Sequence, residues 1–359
     1  MKNKKVAMLL SGGVDSSVAM YRLIEDGYEI EAFYLKIWLE DELSYLNSCP
    51  YEEDLKYAES VCDKLNIKLH ILNFQKDYFD KVVKYTISEI EQGRTPNPDV
   101  MCNNSVKFGA FFDKINKDYN FDFIASGHYA NKGEYNGKTV LKKAEDSFKD
   151  QCYFLANLKD EQLEKIIFPL GHLKKSEVRE IAKNLDLLNA DRKDSQGICF
   201  LGKFKFNDFI KHYLGVKKGD IVDFDTQEKL GEHEGFYFHT IGQRKGLGLS
   251  GGPYYVVSKD TTKNVVYVSK NYFKEKPRNE LYANNLNIFG KIELPEKLEV
   301  KLRHGEQLYD AIVTQKENNL LHIQLNENDQ GIAPGQFVVF FKDEFCLGSG
   351  VIVNPVVRV

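Results

Sequence analysis

Apolar positions in the first half of the chain switch between short unbroken runs and helical spacing. Val6 to Leu10 is a continuous apolar run, and Met20, Leu23, Ile24 and Gly27 follow at helical intervals. Glu29 to Lys36 reads as a second strand, so the opening predicts strand, helix, strand. A crossover this short implies parallel strands and a right-handed connection. Leu55, Ala58, Cys62 and Leu65 share one helix face, which makes Cys62 a core thiol. Lys68 to Asn73 reads as a third strand, Val82, Val83, Thr86, Ile87 and Ile90 as a helix, and Phe121 to Ser126 as a fourth strand. Ligands of open parallel sheets bind beyond the carboxyl ends of the strands. The turn after Leu10, then Leu35 and Gly127, are therefore expected to meet at one edge.

The pattern changes after about Phe200. Val178, Ile181 and Ala182 still mark a helix face, and Asp208 to Leu214 a short helix, but β-rich segments with glycine turns then run to the end. Gly246-Leu247-Gly248-Leu249-Ser250-Gly251 matches a dinucleotide-binding fingerprint formally, yet a strand-like Pro253-Tyr254-Tyr255-Val256-Val257 follows where a helix is required. Alternating stretches such as Leu298 to Leu302, Leu321 to Leu325 and Phe337 to Phe341 predict a small β-barrel. The expected class is α/β: a parallel sheet flanked by helices over residues 1–200, a small β-rich central domain over 201–271, and a C-terminal β-barrel over 272–359.

Composition narrows the setting. The chain has 359 residues, 42% hydrophobic and 28% charged, an ordinary globular balance. No apolar run approaches the ~18 residues a membrane span needs, and Met1-Lys2-Asn3-Lys4-Lys5 lacks a signal-peptide pattern; a cytoplasmic location is expected. Cys49, Cys62, Cys102, Cys152, Cys199 and Cys346 form no Cys-x-x-Cys pair, so no zinc ribbon or cysteine-held cluster is predicted. A net charge of −4 leaves room only for local basic patches. Lys174, Lys175, Arg179, Lys203, Lys205, Lys211, Lys217 and Lys218 could form one, or a solvated face.

The chemistry is concentrated in Ser11-Gly12-Gly13-Val14-Asp15-Ser16-Ser17, between the first strand and its helix. Backbone N–H groups and the helix dipole there face an anion, the glycines allow close approach, and the serines add donors. No Lys follows the glycines, which excludes a Walker A loop. The stretch resembles the PP-loop of ATP pyrophosphatases, which split ATP into AMP and pyrophosphate to activate a carbonyl oxygen.

A second candidate is Arg94-Thr95-Pro96-Asn97-Pro98-Asp99-Val100-Met101-Cys102-Asn103. Its two prolines predict a stiff non-helical loop. Phe108, Phe111, Phe112 and Ile115 place a helix start near Asn103 or Asn104, so Cys102 is expected just ahead of a helix N-terminus, where the dipole favours a thiolate. Position alone leaves a catalytic and a packing role open for this cysteine.

With these stretches read, nearly the whole chain resembles the bacterial tRNA-specific 2-thiouridylases. The likeness also includes Ala125-Ser126-Gly127-His128-Tyr129, Lys149-Asp150-Gln151 with Tyr153-Phe154-Leu155, Asp194-Ser195-Gln196-Gly197-Ile198-Cys199-Phe200, His239 to Gly246, and Ala333-Pro334-Gly335-Gln336. It implies an adenine nucleotide alpha hydrolase-like first domain and 2-thiolation of the wobble uridine in tRNAs for Lys, Glu and Gln. ATP, with Mg²⁺, would be held by Leu9, Leu10, Ser11, Gly12, Gly13, Val14, Asp15, Ser16, Leu35 and Gly127. Asn97, Pro98 and Asp99 would meet the target base. Lys149, Asp150, Gln151, His128 and Gln336 would be further tRNA contacts. Cys199 would carry a persulfide delivered by a sulfur-relay protein or cysteine desulfurase, with Cys102 as the second catalytic cysteine and Asp99 as candidate general base.

Some positions depart from that family's pattern: Leu10 and Leu35 stand where Met is common, Ile37 where Asn is, and Cys152 where Ser is usual. Arg303-His304-Gly305 replaces Arg-Tyr-Arg, which weakens any tRNA contact from the barrel. The alternative function is another adenylating PP-loop enzyme, such as a tRNA lysidine synthetase or an amidotransferase synthetase, neither of which needs two loop cysteines. A nucleotide-binding RNA chaperone without chemistry is the alternative outside the enzymes.

Overall fold

The computed structural model describes residues 4–37, 50–194, 206–271, 278–290, 292–316 and 319–353. The chain opens with strand β1 (Lys5–Leu9), helix α1 (Val14–Glu25), β2 (Glu29–Lys36), helix α2 (Pro50–Leu65) and β3 (Leu69–Asn73). It continues through β4 (Phe123–Ser126), a hairpin of β5 (Asn131–Tyr135) and β6 (Lys138–Lys142), and β7 (Ile166–Ile167). Strands β3, β2, β1, β4 and β7 lie side by side in that order, all parallel. On β1, Val6 and Met8 pack into one core and Ala7 and Leu9 into the other, the two-residue alternation of a strand covered on both faces. Val18, Leu23, Cys62, Val178 and Ala182 cover the first face; Tyr78, Val82, Phe108 and Phe111 cover the second. The strand order reverses between β1 and β4, so the crevice at their carboxyl ends is the expected ligand position.

The helix after the proline-rich loop starts earlier than its sequence suggests. Asn97 is the N-cap, its side chain accepting from the Val100 N–H at 3.2 Å, and Pro98 takes the first helical position. Proline fits there because its missing N–H has no intrahelical partner to lose. Helical backbone then runs Pro98–Cys102, Asn103–Ala110 as π-helix, and Phe111–Asp118. Cys102 therefore lies inside this helical run, not ahead of a helix start at Asn103 or Asn104.

Four strands follow the helix Phe206–Leu214: β8 (Gly219–Asp223), β9 (Lys229–His233), β10 (Tyr255–Asp260) and β11 (Val265–Ser269), ordered β10-β11-β8-β9. The last six, β12 (Glu280–Ile288), β13 (Glu296–Lys301), β14 (Tyr309–Gln315), β15 (Leu321–Leu325), β16 (Phe337–Lys342) and β17 (Phe345–Val353), close into a barrel through β12–β17 pairing. The β5–β6 hairpin joins this sheet: Phe345 and Cys346 of β17 pair with Lys142 and Leu141. Its turn residues Asn136 and Gly137 both have positive φ, 50° and 75°. That is the two-residue turn matched to strand twist. The N-terminal part is thus bonded directly into the C-terminal barrel.

Candidate functional site: a glycine loop and a cleft

The Ser11–Ser17 turn sits at the carboxyl end of β1 and enters α1 with Gly13 as N-cap. Gly12 has φ 75°, and a Cβ there would lie 2.2 Å from the Asp54 carbonyl oxygen, so only glycine fits. The Ser16 and Ser17 hydroxyls each donate to the Gly13 carbonyl at 3.0 Å, and Ser16 Oγ accepts from the Ser11 N–H at 3.2 Å. The buried Asn189 amide donates to the Gly12 carbonyl and to Ser17 Oγ, both at 2.9 Å. Arg192 also reaches the Gly12 carbonyl, at 3.2 Å, and pairs with Asp54. The loop is therefore fixed from behind, which leaves its N–H face for an anion. Gly127, after β4, approaches so closely that a Cβ would meet the Ser16 nitrogen at 2.7 Å. Leu35 is half-buried near the carboxyl end of β2. The three segments expected at one sheet edge are brought there.

Asp15 is the centre of an ion-pair network. Its Oδ1 accepts from Tyr129 OH at 2.9 Å and from Lys175 Nζ at 2.6 Å. Lys175 Nζ also lies 2.7 Å from Asp194 Oδ1, and Asp194 takes Arg179 at 2.8 Å and Lys149 at 2.6 Å. Partial burial pushes the Asp194 carboxyl up, but hydrogen bonds from Lys149 and Lys175 outweigh it and hold it at about 2. Lys175 and Arg179 thus turn inward, away from a surface track. Lys174, Lys211, Lys217 and Lys218 are exposed; Lys203 and Lys205 lie outside the described residues.

The second site is a cleft of about 240 Å³ lined by Ile90, Arg94–Asp99, Phe154, Phe206, Tyr237, His239 and Thr240. It draws on the proline-rich loop, on the short helix Cys152–Leu155 and on the central domain. Gln336, at the barrel edge, anchors the loop: its Nε2 donates to the Thr95 and Pro96 carbonyls at 3.2 and 2.9 Å, and its Oε1 accepts from Asn97 Nδ2 at 3.3 Å. Tyr153 OH reaches the same Oε1 at 3.3 Å. Burial, with His233 and Lys259 nearby, pushes His239 down to about 4, so the wall it forms is neutral. Aromatic rings beside a fixed amide and a carboxylate suit an unstacked base, by stacking and edge hydrogen bonds.

The remaining expected residues are placed as follows. Asp99 lines the cleft in the first turn of its helix, and Cys102, three residues on, is buried at 1% exposure. Cys199, with Ser195 to Phe200, lies outside the described residues. His128 Nδ1 is 2.8 Å from Ser126 Oγ; desolvation, with Lys107, pushes it down to about 3, and it stays neutral. Asp150 is buried, accepting from the Ala144 N–H at 3.1 Å and facing Lys301 Nζ at 3.3 Å. Gln151 Oε1 accepts from the Tyr129 N–H at 2.9 Å. Cys62 is a core thiol, pushed by burial to about 12, and Cys152 is fully buried against the Lys142 carbonyl. His304 packs against Phe154 at a tilt, ring centres 4.6 Å apart, while Arg303 pairs with Asp329. Asn189 and Arg192 at the loop carry no local spacing signal and were missed; Tyr129 and Asp194 belong to the quoted motifs, and Lys175 to the basic stretch, but no role at the loop was expected of them.

Three families match in succession: residues 4–203 to one described as tRNA methyl transferase HUP domain, 207–270 to its PRC-barrel domain, and 278–352 to an aminomethyltransferase beta-barrel domain. The chain is 45% identical to the tRNA-specific 2-thiouridylase MnmA of Parabacteroides distasonis, covering 98% of this chain and 99% of that protein. It is 45% identical to MnmA 1 of Bacteroides thetaiotaomicron, covering 97% and 99%. Among solved structures, a U34-tRNA thiolase NcsA from Methanococcus maripaludis with its [4Fe-4S] cluster is similar over 56% of this chain and 62% of that one, at 21% identity and TM-score 0.32.

Proposed function

The chain belongs to the tRNA-specific 2-thiouridylase family, and from that premise we propose that it thiolates C2 of the wobble uridine of tRNAs for Lys, Glu and Gln at the expense of ATP. The observation that carries the reading is the pairing of a rigid anion-binding loop with a separate base-sized cleft that has Asn97 and Asp99 on its wall.

ATP is the activating substrate. Leu9 to Ser16, Leu35 and Gly127 would hold it, with phosphates on the N–H face of the Gly12–Ser16 turn. Among the described residues no group of three or more His, Cys, Asp or Glu could hold a metal. Mg²⁺ needs no such cage, because it binds through substrate phosphates and one or two carboxylates. Asp15 is the carboxylate at the loop, and the ion would supply charge neutralisation to the departing pyrophosphate.

The cleft would receive the flipped uracil, with Asn97, Pro98 and Asp99 against its edge and Phe154 on its face. Adenylation turns the C2 oxygen into a leaving group. The terminal sulfur of a Cys199 persulfide then adds at C2 and AMP departs, with Asp99 as base. Attack of Cys102 on the bridging Cys199 sulfur frees the thiolated base and leaves a Cys102–Cys199 disulfide. The persulfide comes from a sulfur-relay protein or cysteine desulfurase, in the cytoplasm; no helix among the described residues is long and apolar enough to cross a membrane. Lys149 and His128 are proposed as direct tRNA contacts, and Asp150, Gln151 and Gln336 as residues that shape the RNA-facing loops through the internal bonds described above.

Nucleoside analysis of unmodified tRNA incubated with the protein, ATP, Mg²⁺ and a persulfide donor tests this. The expected product is 2-thiouridine at the wobble position, with AMP and pyrophosphate. Pyrophosphate release without thiouridine would point instead to a different adenylating enzyme, such as a lysidine synthetase. Asp15→Ala and Ser16→Ala should both abolish AMP formation in folded protein.

A further inference from the structure

We propose that Lys175 is the phosphate-contacting lysine of the nucleotide loop, supplied from a helix 160 residues further along the chain. The inference rests on the ATP-dependent reading above.

A phosphate seated at the N-terminus of α1 would lie beside Asp15, an anion in the first turn of that helix. Even with Mg²⁺ on the phosphates, a cation fixed beside this carboxylate would lessen its repulsion of the ligand, because charges within a few ångströms interact strongly away from bulk water. The loop has no lysine of its own after the glycines, unlike a Walker A loop. Lys175 meets that need. Its side chain is only 13% exposed, and its ammonium lies 2.6 Å from Asp15 Oδ1 and 2.7 Å from Asp194 Oδ1. Two of its three donors are directed at these carboxylates, which leaves the third for a phosphate oxygen.

The surrounding charges set its position. Asp15, Asp194 and Asp146 are balanced by three cations, Lys175, Lys149 and Arg179, and Lys175 is the one that touches the loop itself. Lys175 is fixed at its backbone as well, its N–H donating to Asp146 Oδ2 at 2.9 Å. An ammonium held this way needs no rearrangement when charge builds on the departing pyrophosphate, the condition under which such groups contribute most.

The test is tRNA-dependent AMP formation by wild type, Lys175→Gln, Lys175→Arg and the exposed control Lys183→Gln on the same helix, with thermal melts to confirm folding. Lys175→Gln should lose about 100-fold or more in kcat, Lys175→Arg should recover part of it, and Lys183→Gln should match wild type. A folded Lys175→Gln with wild-type kcat, or an Arg variant no better than Gln, would overturn the proposal. Wild type forming no AMP would instead remove the ATP-dependent reading itself. Should Lys175→Gln not fold, acetylation of wild type with and without ATP·Mg²⁺ decides: ATP should slow labelling of Lys175 and leave Lys183 unchanged, and equal labelling of Lys175 would overturn the assignment.

Discussion

Asn97 and Gln336, 239 residues apart, share a hydrogen bond of 3.3 Å that ties the proline-rich loop to the barrel. Gln336 also holds the Thr95 and Pro96 carbonyls, so one side chain fixes three consecutive residues of the loop. Gln336→Ala should therefore loosen the cleft without touching the nucleotide loop. Net loss of such bonds costs about 0.5–1.5 kcal/mol each, enough to raise KM for tRNA several-fold while ATP binding stays unchanged. Steady-state kinetics with each substrate varied separately checks this.

Asp150 and Lys301 form a buried pair between the Lys149–Gln151 turn and β13. Asp150→Ala would strand a buried ammonium and should destabilise by about 3–5 kcal/mol. Adding Lys301→Met should restore most of the loss, because an apolar side chain of similar length fits the same space without a charge to compensate. Denaturant unfolding of both variants reads the difference; equal stabilities would show that the pair carries no coupling.

Why some of this was legible in the sequence and some was not follows from the range of the interactions. The parallel sheet could be read because strands covered on both faces, such as Val6 to Leu10, are continuous apolar runs. The convergence of the Ser11–Ser17 turn, Leu35 and Gly127 followed from strand direction alone. The helix start at Pro98 was missed because two prolines read as a loop, although the second suits a first helical position. The β5–β6 hairpin was not expected, although Asn136-Gly137 is a two-residue turn pair, and nothing local says that it joins β17. The inward turn of Lys175 and Arg179 and the burial of Asp150 depend on partners 15 to 160 residues away, which composition and spacing do not encode.

Acid should weaken the ion-pair network at the Ser11–Ser17 loop through Asp194. Its folded-state carboxyl is held at about 2, below the ordinary carboxylate value of 3.8. A depressed carboxylate contributes stability that is present above the unfolded value and is lost as pH falls through the folded one. The contribution should therefore fade from about pH 4 down to about 2. Asp194→Asn should flatten the stability–pH curve of wild type in that window, measured by urea midpoints at stepped pH.

The basic surface is smaller than the sequence suggests, since Lys175 and Arg179 are internally paired. Charge removal at the exposed Lys174, Lys217 and Lys218 should flatten the salt dependence of tRNA binding, by about one unit of slope for each lysine that neutralises a phosphate. An unchanged slope in the triple Gln variant would return these lysines to ordinary solvation. Filter binding across a salt series gives the slope directly.

The two cysteines proposed for catalysis provide the mechanistic test. Cys102 is buried inside its helix at 1% exposure, so its sulfur must be uncovered before it can attack. Forming a Cys102–Cys199 disulfide also requires Cα atoms within about 7 Å. A single turnover of wild type without reductant should leave that disulfide, found by mass mapping beside one equivalent of thiouridine. Cys199→Ser should accept no persulfide yet still adenylate tRNA, because the nucleotide loop is untouched. Cys102→Ser should accept the persulfide on Cys199 and stop before releasing thiolated tRNA. Repeated turnover of Cys102→Ser at the wild-type rate would make Cys102 a packing thiol of the helix core and would require sulfur to leave Cys199 as hydrosulfide instead.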